Sequence, residues 1–258
     1  MITLIVISQD NGGINMNRLE NKVAIITGGA AGMGEAHVRL FINGGAKVVL
    51  TDINVEKGEA LAKELGDNAL FIQHDVTDEK GWETVVTEAE KAFGPVNILV
   101  NNAGISPVMS LEHSSLNDYM KVVNINQVSV FLGMKYVTPS MKKAESGSII
   151  NVSSINGLQG GVIGYTDTKF AVRGMSKAAA KELAKYNIRV NSVHPGVIDT
   201  PMVRESDAFE HIQAMVPVIP LKRMAKPNEI SQLVLFLASD DSSYSTGAEF
   251  IADGGITS

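Results

Sequence analysis

Short runs of apolar, often β-branched residues alternate along the chain with longer segments whose apolar residues recur at helical spacing. Strands that alternate with helices indicate βαβ units, and therefore a parallel sheet with helices on both faces. The predicted strands are 23–27, 47–50, 69–73, 97–100, 148–152, 189–193 and 249–251, and the predicted helices are 34–43, 55–65, 80–93, 116–143, 168–185 and 228–237. No internal repeat or Pro/Gly/Ser-rich linker interrupts this pattern. The sequence therefore predicts a single α/β domain with a doubly wound parallel sheet.

The first nineteen residues precede this pattern. Their apolar run, MITLIVIS, has no basic stretch before it, and QDNGG follows where a signal peptide would have small residues for cleavage. We therefore predict a loosely attached extension over 1–19 and a domain over 20–258, with Met16 as a natural start. The alternative is that Ile2–Ile7 adds an edge strand. The longest uninterrupted apolar stretch is Leu233–Ala238, far short of the about 20 residues that cross a bilayer, so we interpret the protein as cytoplasmic.

Composition narrows the possible functions. The 258 residues carry 22 Lys and Arg against 28 Asp and Glu, a net charge of −6. This balance argues against nucleic-acid binding, because phosphate groups need clustered cations. There is no cysteine, so disulfides, thiolate metal sites and cysteine nucleophiles are excluded. The five histidines are not spaced as metal ligands, and we expect no functional metal.

A glycine-rich turn, TGGAAGMG, follows the first predicted strand and leads into the first helix. It contains Gly28, Gly32 and Gly34. Glycine allows a tight turn and the close approach of a pyrophosphate, while the helix N-terminus offers free N–H groups. Asp52 ends the second strand, where an acidic side chain can accept hydrogen bonds from an adenosine ribose. Together these features indicate a dinucleotide site, although each alone is compatible with an ordinary turn or a solvated aspartate.

Tyr165 and Lys169 are four residues apart on a helical segment, so their side chains share one face. A neighbouring ammonium and the positive nicotinamide of an oxidised cofactor would favour the phenolate and lower the pKa of Tyr165 from about 10. Tyr165 could then act as a general base toward an alcohol or a general acid toward a ketone. For the two residues taken alone, a surface Tyr–Lys pair without catalysis is the simpler alternative.

These motifs, with several others in the same order, resemble the short-chain dehydrogenase/reductase family. The others are Asp75-Val76, Asn101-Asn102-Ala103-Gly104, Pro195-Gly196 followed by Ile198 and Thr200, and the closing Thr246-Gly247 and Asp253-Gly254-Gly255. The match runs from about Leu19 to the C-terminus and implies a Rossmann-like fold and a homotetramer. The stretches GYTDTKFAVRGMSKAAAKEL and IRVNSVHPGVIDTPM most resemble hydroxysteroid and secondary-alcohol dehydrogenases.

The resemblance implies where a nicotinamide dinucleotide binds, and Asp52, with no nearby cation to accept a 2′-phosphate, indicates that this dinucleotide is NAD. The implied cofactor-binding residues are Gly28, Gly32, Met33, Gly34, Asp52, Asp75, Val76, Asn102, Tyr165, Lys169, Ile198 and Thr200. Of these, the Met33 N–H would contact phosphate and Asn102 would lie under the adenosine. Lys169 would also hold the nicotinamide ribose. The pair at 75 and 76 would contact the adenine, and the residues at 198 and 200 would bind the nicotinamide carboxamide.

The resemblance also implies a catalytic serine at the end of the fifth strand, which would donate a hydrogen bond to the substrate oxygen. Ser154 lies eleven residues before Tyr165 and Ser153 lies twelve before it, so the loop 155–164 is about two residues shorter than is usual in the family. Alignment of the strand SIINVSS favours Ser154. The shortened loop leaves the shape of the substrate pocket open.

A fourth catalytic residue is implied in the segment NINQVSVF, where the family has an asparagine that helps to hold a water between the lysine and solvent. Asn126 matches this position better than Asn124, although a capping or core role is the simpler alternative for both. The implied catalytic set is therefore Asn126, Ser154, Tyr165 and Lys169. His194 is expected to be a packed residue at a strand end and receives no role.

The expected reaction is reversible hydride transfer between NAD(H) and a secondary alcohol or ketone, with a hydroxysteroid or another bulky or cyclic alcohol as a candidate substrate. A 3-oxoacyl-thioester reductase that acts on an acyl carrier protein is the nearer alternative, and a non-catalytic NAD-binding sensor is another. Substrate choice would depend on Ser106–Met109, the loop 155–164 and a candidate lid at Thr200–Lys226.

Overall fold

One parallel sheet forms the centre of the protein. The computed structural model describes residues 17–258. Its strands are β1 (Val23–Thr27), β2 (Lys47–Asp52), β3 (Ala69–Gln73), β4 (Ile98–Asn101), β5 (Gly147–Val152), β6 (Ile188–Pro195) and β7 (Glu249–Ala252). All neighbouring strands are parallel, in the order β3-β2-β1-β4-β5-β6-β7, which confirms the predicted fold class. The direction of winding reverses between β1 and β4, and open α/β sheets bind ligands beyond the carboxyl ends of strands at such a point.

Helices cover both faces of this sheet. They are α1 (Gly32–Asn43), α2 (Val55–Leu65), α3 (Glu79–Phe93), α4 (Leu116–Val123), α5 (Ser129–Lys143), α6 (Tyr165–Leu183), α7 (Pro201–Arg204), α8 (Phe209–Met215) and α9 (Pro227–Ala238). Within the part of the chain that the structure describes, no helix is long and apolar enough to span a membrane.

Three helical regions differ from their prediction. The segment predicted as one helix over 116–143 is divided into α4 and α5 by a π-helical turn, Asn124–Val128, in which each hydrogen bond spans one residue more than in an α-helix. Helix α6 begins at Tyr165, earlier than the predicted start at 168. The candidate lid contains α7 and α8, which the hydrophobic pattern did not indicate.

Side chains of β1 alternate between two hydrophobic cores, one on each face of the sheet. Ala24 and Ile26 belong to a cluster with residues of α1, α2 and α9. Val23 and Ile25 belong to a second cluster with residues of α3, α5 and α6. Every residue of β1 is buried, as is typical of a central strand covered on both faces.

The folded domain extends before its expected start at residue 20. Leu19 is fully buried in the first core cluster, and its backbone N–H donates a 2.8 Å hydrogen bond to the carbonyl of Gly44. Arg18 forms a salt bridge with Asp241. The rest of the expected extension, including the alternative strand Ile2–Ile7, lies outside the described residues.

Candidate active site

The glycine turn between β1 and α1 has the backbone geometry that a phosphate site requires. Gly28 and Gly32 have φ angles of +62° and +58°, which residues with a Cβ adopt only with strain. A Cβ on Gly34 would lie 1.9 Å from the carbonyl oxygen of Gly28, so only glycine allows the helix to begin this close to the turn. The N-cap residue of α1, Ala31, makes no side-chain capping hydrogen bond. The first-turn N–H groups, including that of Met33, are therefore not satisfied by a capping side chain.

A cleft of about 320 Å³ opens beyond this turn, at the carboxyl ends of the strands. Asp52 lines it, and its two carboxylate oxygens accept hydrogen bonds from the backbone N–H groups of Ala30 (3.1 Å) and Asn54 (3.0 Å). Asp75 and Val76, at the end of β3, line the same cleft. The cleft therefore begins at the glycine turn and is bordered by a fixed carboxylate.

The other walls of the cleft come from the end of β4 and from the lid. The side-chain amide of Asn102 donates to the carbonyl of Thr27 at 2.9 Å, and its Oδ1 is buried without a hydrogen-bond partner among the described residues. On the lid side, Thr200 contacts the turn, since a Cβ on Gly32 would lie 3.5 Å from its Cβ. Ile198 does not line this cleft; it is buried and its backbone pairs with Ala225.

These features fit a nicotinamide dinucleotide. An uncapped helix N-terminus attracts a pyrophosphate, and a carboxylate at the end of β2 can accept hydrogen bonds from the adenosine ribose. The glycine turn leaves room for phosphate, because side chains at those positions would enter the space between turn and helix. Residues at the ends of β2, β3 and β4 line one continuous cleft, as an elongated ligand requires.

Tyr165 and Lys169 lie one turn apart at the start of α6. Lys169 is buried; its ammonium donates a 2.9 Å hydrogen bond to the carbonyl of Val152 and lies 5.4 Å from the centre of the Tyr165 ring. Burial lowers the pKa of Lys169 to about 8. Burial also raises the pKa of Tyr165, and a hydrogen bond with Ser154 acts in the opposite direction. In the protein without a cofactor, desolvation of the phenolate is therefore the larger effect on the pKa of Tyr165, and the predicted lowering by Lys169 together with an oxidised nicotinamide stays a prediction.

The two candidate serines at the end of β5 point to different partners. The hydroxyl of Ser153 donates a 2.9 Å hydrogen bond to the backbone carbonyl of Lys169, on the side of α6. The hydroxyl of Ser154 accepts from the backbone N–H of Asn156 at 3.1 Å and lies close enough to the Tyr165 hydroxyl to lower its pKa. The structure therefore brings Ser154, and not Ser153, together with Tyr165, although the loop that follows is short.

Asn126 lies in the π-helical turn and is buried next to the lysine. Its amide makes two hydrogen bonds with the backbone of Ile105, accepting from the N–H at 2.9 Å and donating to the carbonyl at 2.8 Å. A Cβ on Gly104 would lie 3.2 Å from Asn126 Oδ1 and 3.6 Å from Lys169 Nζ, so this glycine lies between the two groups. The alternative residue, Asn124, is exposed.

The backbone partners of these side chains could not be found from the sequence. The N–H of Asn156 and both backbone groups of Ile105 orient the serine and the asparagine, but any residue type supplies such groups. Gly104, in the motif Asn101-Asn102-Ala103-Gly104, is the residue in the sequence that indicated close packing next to Asn126 and Lys169. Among residues 17–258, no group of three or more His, Cys, Asp or Glu side chains is arranged to hold a metal ion.

Comparisons with known proteins identify relatives over most of the length of this chain. A family model described as enoyl-(acyl carrier protein) reductase matches residues 28–257. The 3-alpha-(or 20-beta)-hydroxysteroid dehydrogenase of Mycobacterium tuberculosis is 49% identical over 242 residues, which are 92% of this chain and 90% of that protein. The NADP-dependent (R)-specific alcohol dehydrogenase of Lentilactobacillus kefiri is 43% identical over 93% of this chain and 98% of its own length. The cyclopentanol dehydrogenase of Comamonas testosteroni is 44% identical over 94% of this chain and 99% of its own length.

The matched family model, the extent of these similarities and the doubly wound fold define an oxidoreductase that works with a nicotinamide cofactor. The chain belongs to the short-chain dehydrogenase/reductase family.

Proposed function

We propose that this protein catalyses reversible hydride transfer between NAD(H) and a secondary alcohol or ketone, and that Asn126, Ser154, Tyr165 and Lys169 carry the reaction. The observation that carries the proposal is that the hydroxyl of Ser154 lies beside that of Tyr165, one helical turn from a buried lysine. Gly104, which lies next to Lys169 and Asn126, also lines the cleft that fits a dinucleotide.

Each side chain has a role that its contacts permit. The backbone N–H of Asn156 fixes the Ser154 oxygen, and the hydroxyl hydrogen, which faces Tyr165 in the absence of substrate, would turn to the substrate oxygen when substrate binds. Tyr165 gives its proton to that oxygen during ketone reduction and removes it during alcohol oxidation. Lys169, fixed by Val152, supplies positive charge beside the phenol, and Asn126 orders the backbone next to the lysine. A bound nicotinamide supplies the hydride donor or acceptor.

Asp52 supports NAD(H) rather than NADP(H) as the cofactor. Its carboxylate is tied to the glycine turn and to Asn54, where the 2′-phosphate of NADP would approach a like charge. Arg39, on the helix that follows the turn, is held by salt bridges to Glu35 and Glu64. One similar protein is named NADP-dependent, so relatedness alone does not select the cofactor.

A bulky or cyclic secondary alcohol is the proposed substrate class. Relatives named for hydroxysteroids and for cyclopentanol support it. So do the apolar side chains near Tyr165: Met109 lies against Gly164, where an added Cβ would come within 2.8 Å of the methionine sulfur. Met202 lines the cleft from the lid and is half exposed.

The description of the family model favours one alternative, a reductase of acyl chains on an acyl carrier protein. Such an enzyme needs free cations to dock an acidic carrier. The lid arginines do not offer them, because Arg204 is paired with Asp199 and Arg223 with Glu229, each through two hydrogen bonds. Turnover of free cyclic ketones, with none of acetoacetyl thioesters, would separate the two functions.

We also propose a cytoplasmic homotetramer in which α5 and α6 pair across a subunit interface. Phe131 on α5 and Phe170 on α6 are about half exposed, which is unusual for aromatic side chains. Ala178, further along α6, is exposed and small enough to allow close helix approach. Light scattering on the purified protein tests the subunit number, and Phe131→Glu should dissociate the assembly.

The direct test of the function is a panel of ketones with NADH and, separately, with NADPH. Cyclic ketones and ketosteroids should be reduced with NADH, and absorbance at the nicotinamide band gives the rate. The protein would instead be a non-catalytic sensor if it binds NADH but consumes none with any ketone or, in reverse, produces none from any secondary alcohol.

A further inference from the structure

His194 lies near the end of β6, fully buried, beside Ser154 at the end of β5. Its Nδ1 is 3.0 Å from the carbonyl oxygen of Ser154, and its Nε2 is 2.9 Å from the hydroxyl of Ser192. A carbonyl oxygen only accepts, so Nδ1 carries the ring proton and Nε2 accepts from Ser192. Burial lowers the pKa of His194, in keeping with a neutral ring. The contacts form one directed chain from Ser192 through His194 to Ser154.

Ser154 accepts hydrogen bonds from the loop that follows it as well as from His194. Its carbonyl also accepts a 2.9 Å hydrogen bond from the N–H of Gly157, and its backbone is extended, with φ −169° and ψ 166°. Its hydroxyl accepts from Asn156. The loop fixes Ser154 from its own side through Gly157 and Asn156, whereas His194 fixes it from the neighbouring strand.

We propose that His194 is a positioning residue for the reaction: it fixes the Ser154 peptide so that the serine hydroxyl points at the substrate oxygen. This inference rests on the proposed function of Ser154. His194 has no access to substrate, because it is fully buried. Its effect is on orientation, and a misplacement of about 1 Å at a reacting group can cost about 10²-fold in rate.

Two substitutions at this position separate the hydrogen bond to Ser154 from the hydrogen bond to Ser192. In His194→Asn, the amide nitrogen can take the place of Nδ1 and keep the donor to Ser154. In His194→Gln, the longer side chain reaches toward Ser192 and loses that donor. We expect His194→Asn to keep kcat within about threefold and His194→Gln to lose about 10- to 100-fold. The ketone KM and the NADH Kd should change little in both.

The matched control is His37→Gln, at a second fully buried histidine whose Nδ1 is 2.7 Å from the hydroxyl of Ser231, in the core between α1 and α9. It should lower the thermal midpoint while leaving kcat near the wild-type value. A general loss of stability at a buried histidine would thereby be distinguished from a loss of orientation.

A double-mutant cycle with Ser154→Ala measures whether the effect of His194→Gln on kcat depends on the serine hydroxyl, which a purely structural role of His194 would not require. With the hydroxyl removed, nothing remains to be oriented, so His194→Gln should cost no further rate in that background. The proposal is overturned if His194→Gln keeps wild-type kcat, if the Asn and Gln variants lose kcat equally, or if the loss persists in the Ser154→Ala background. If Ser154→Ala itself keeps full turnover, the proposed function of the serine fails instead.

If His194→Gln does not fold, Ser192→Ala decides the question, because it keeps the imidazole and removes only the donor that fixes the tautomer. A fall in kcat of about threefold or more that vanishes in the Ser154→Ala background supports the proposal. An unchanged kcat overturns it.

Discussion

The ammonium of Lys169 lies 5.4 Å from the centre of the Tyr165 ring, one turn along the same helix and shielded from solvent. Burial shifts the pKa values of the two groups in opposite directions: it lowers the pKa of the lysine to about 8 and raises that of the tyrosine. Burial therefore disfavours the charged form of both groups. Charge brought by a substrate or cofactor would act strongly here, since little water screens it.

The buried lysine should make stability depend on pH in a defined direction. Its pKa is about 8 in the folded protein and 10.5 for an unperturbed lysine, so between these pH values the unfolded state binds more protons. The free energy of unfolding should therefore rise with pH from about 8 to 10.5, and the destabilisation is complete below pH 8. The contribution is on the order of 3 kcal/mol.

Chemical denaturation of the wild type and of Lys169→Met across pH 7 to about 10.5 measures this contribution. The Met variant keeps the length of the side chain but has no charge to titrate. The difference in unfolding free energy between the two proteins should change with pH above about 8. A difference that stays constant would show that the lysine is not desolvated as its burial indicates.

Replacement of the two serines should have unequal effects on rate. Ser154→Ala should lower kcat by about 10² or more, the usual cost of one donor to a developing oxyanion. Ser153→Ala removes a buried hydrogen bond to the Lys169 carbonyl and should lower stability by about 1 kcal/mol with a much smaller effect on rate. Steady-state kinetics and thermal unfolding of both variants test this. Equal losses of kcat, or the reverse order, would show that the shortened loop presents the other hydroxyl.

Asp52 should set the preference between the two cofactors. A screened repulsion of about 1.4–3 kcal/mol corresponds to a factor of ten to over a hundred in affinity, so kcat/KM for NADH should exceed that for NADPH by at least about tenfold. Asp52→Ala should narrow the gap. The carboxylate also accepts hydrogen bonds from Ala30 and Asn54, so Asp52→Asn, which keeps one acceptor, is the control for loop structure. Equal use of both cofactors by the wild type would mean that Asp52 faces away from the ribose.

The glycine turn can be tested without any assay of the reaction. Gly34→Ala would place a Cβ 1.9 Å from the carbonyl of Gly28, so the turn must shift and NADH affinity should fall by at least about tenfold. Gly174→Ala is the matched control, because a Cβ there meets nothing within 4 Å and alanine favours a helix by about 0.5–1 kcal/mol. Titration of NADH fluorescence gives both affinities. An unchanged affinity in Gly34→Ala would remove the turn from the cofactor site.

Much of the fold could be predicted because it depends on local patterns. Residues 23–26 of the central strand form a continuous apolar run, and the glycine turn with positive φ at Gly28 and Gly32 follows it directly. The spacing of Tyr165 and Lys169 placed them on one helical face, which the structure also shows. These features come from side-chain type and periodicity, which the sequence displays directly.

The rest depends on contacts between distant segments. The π-helical turn at Asn126 is stabilised by two hydrogen bonds to the backbone of Ile105, 21 residues away, and periodicity alone predicts an uninterrupted helix there. The partner of His194 is a backbone carbonyl 40 residues earlier. The pKa of Tyr165 depends on how deeply its first helical turn is buried, and spacing carries no information about that depth.

The central claim is that the Tyr165 hydroxyl transfers the proton, and Tyr165→Phe tests it most directly. Phenylalanine keeps the ring but has no proton to move, so kcat should fall by about 10²–10⁴ while NADH binds with nearly wild-type affinity. Tyr136→Phe removes an exposed hydroxyl that bonds Glu79, and it should leave both values unchanged. The measurement is kcat for ketone reduction beside the NADH Kd for the same preparations. A loss of at least 10²-fold with unaltered binding is the result predicted here, and a Tyr165→Phe enzyme that keeps more than about a tenth of wild-type kcat would contradict it.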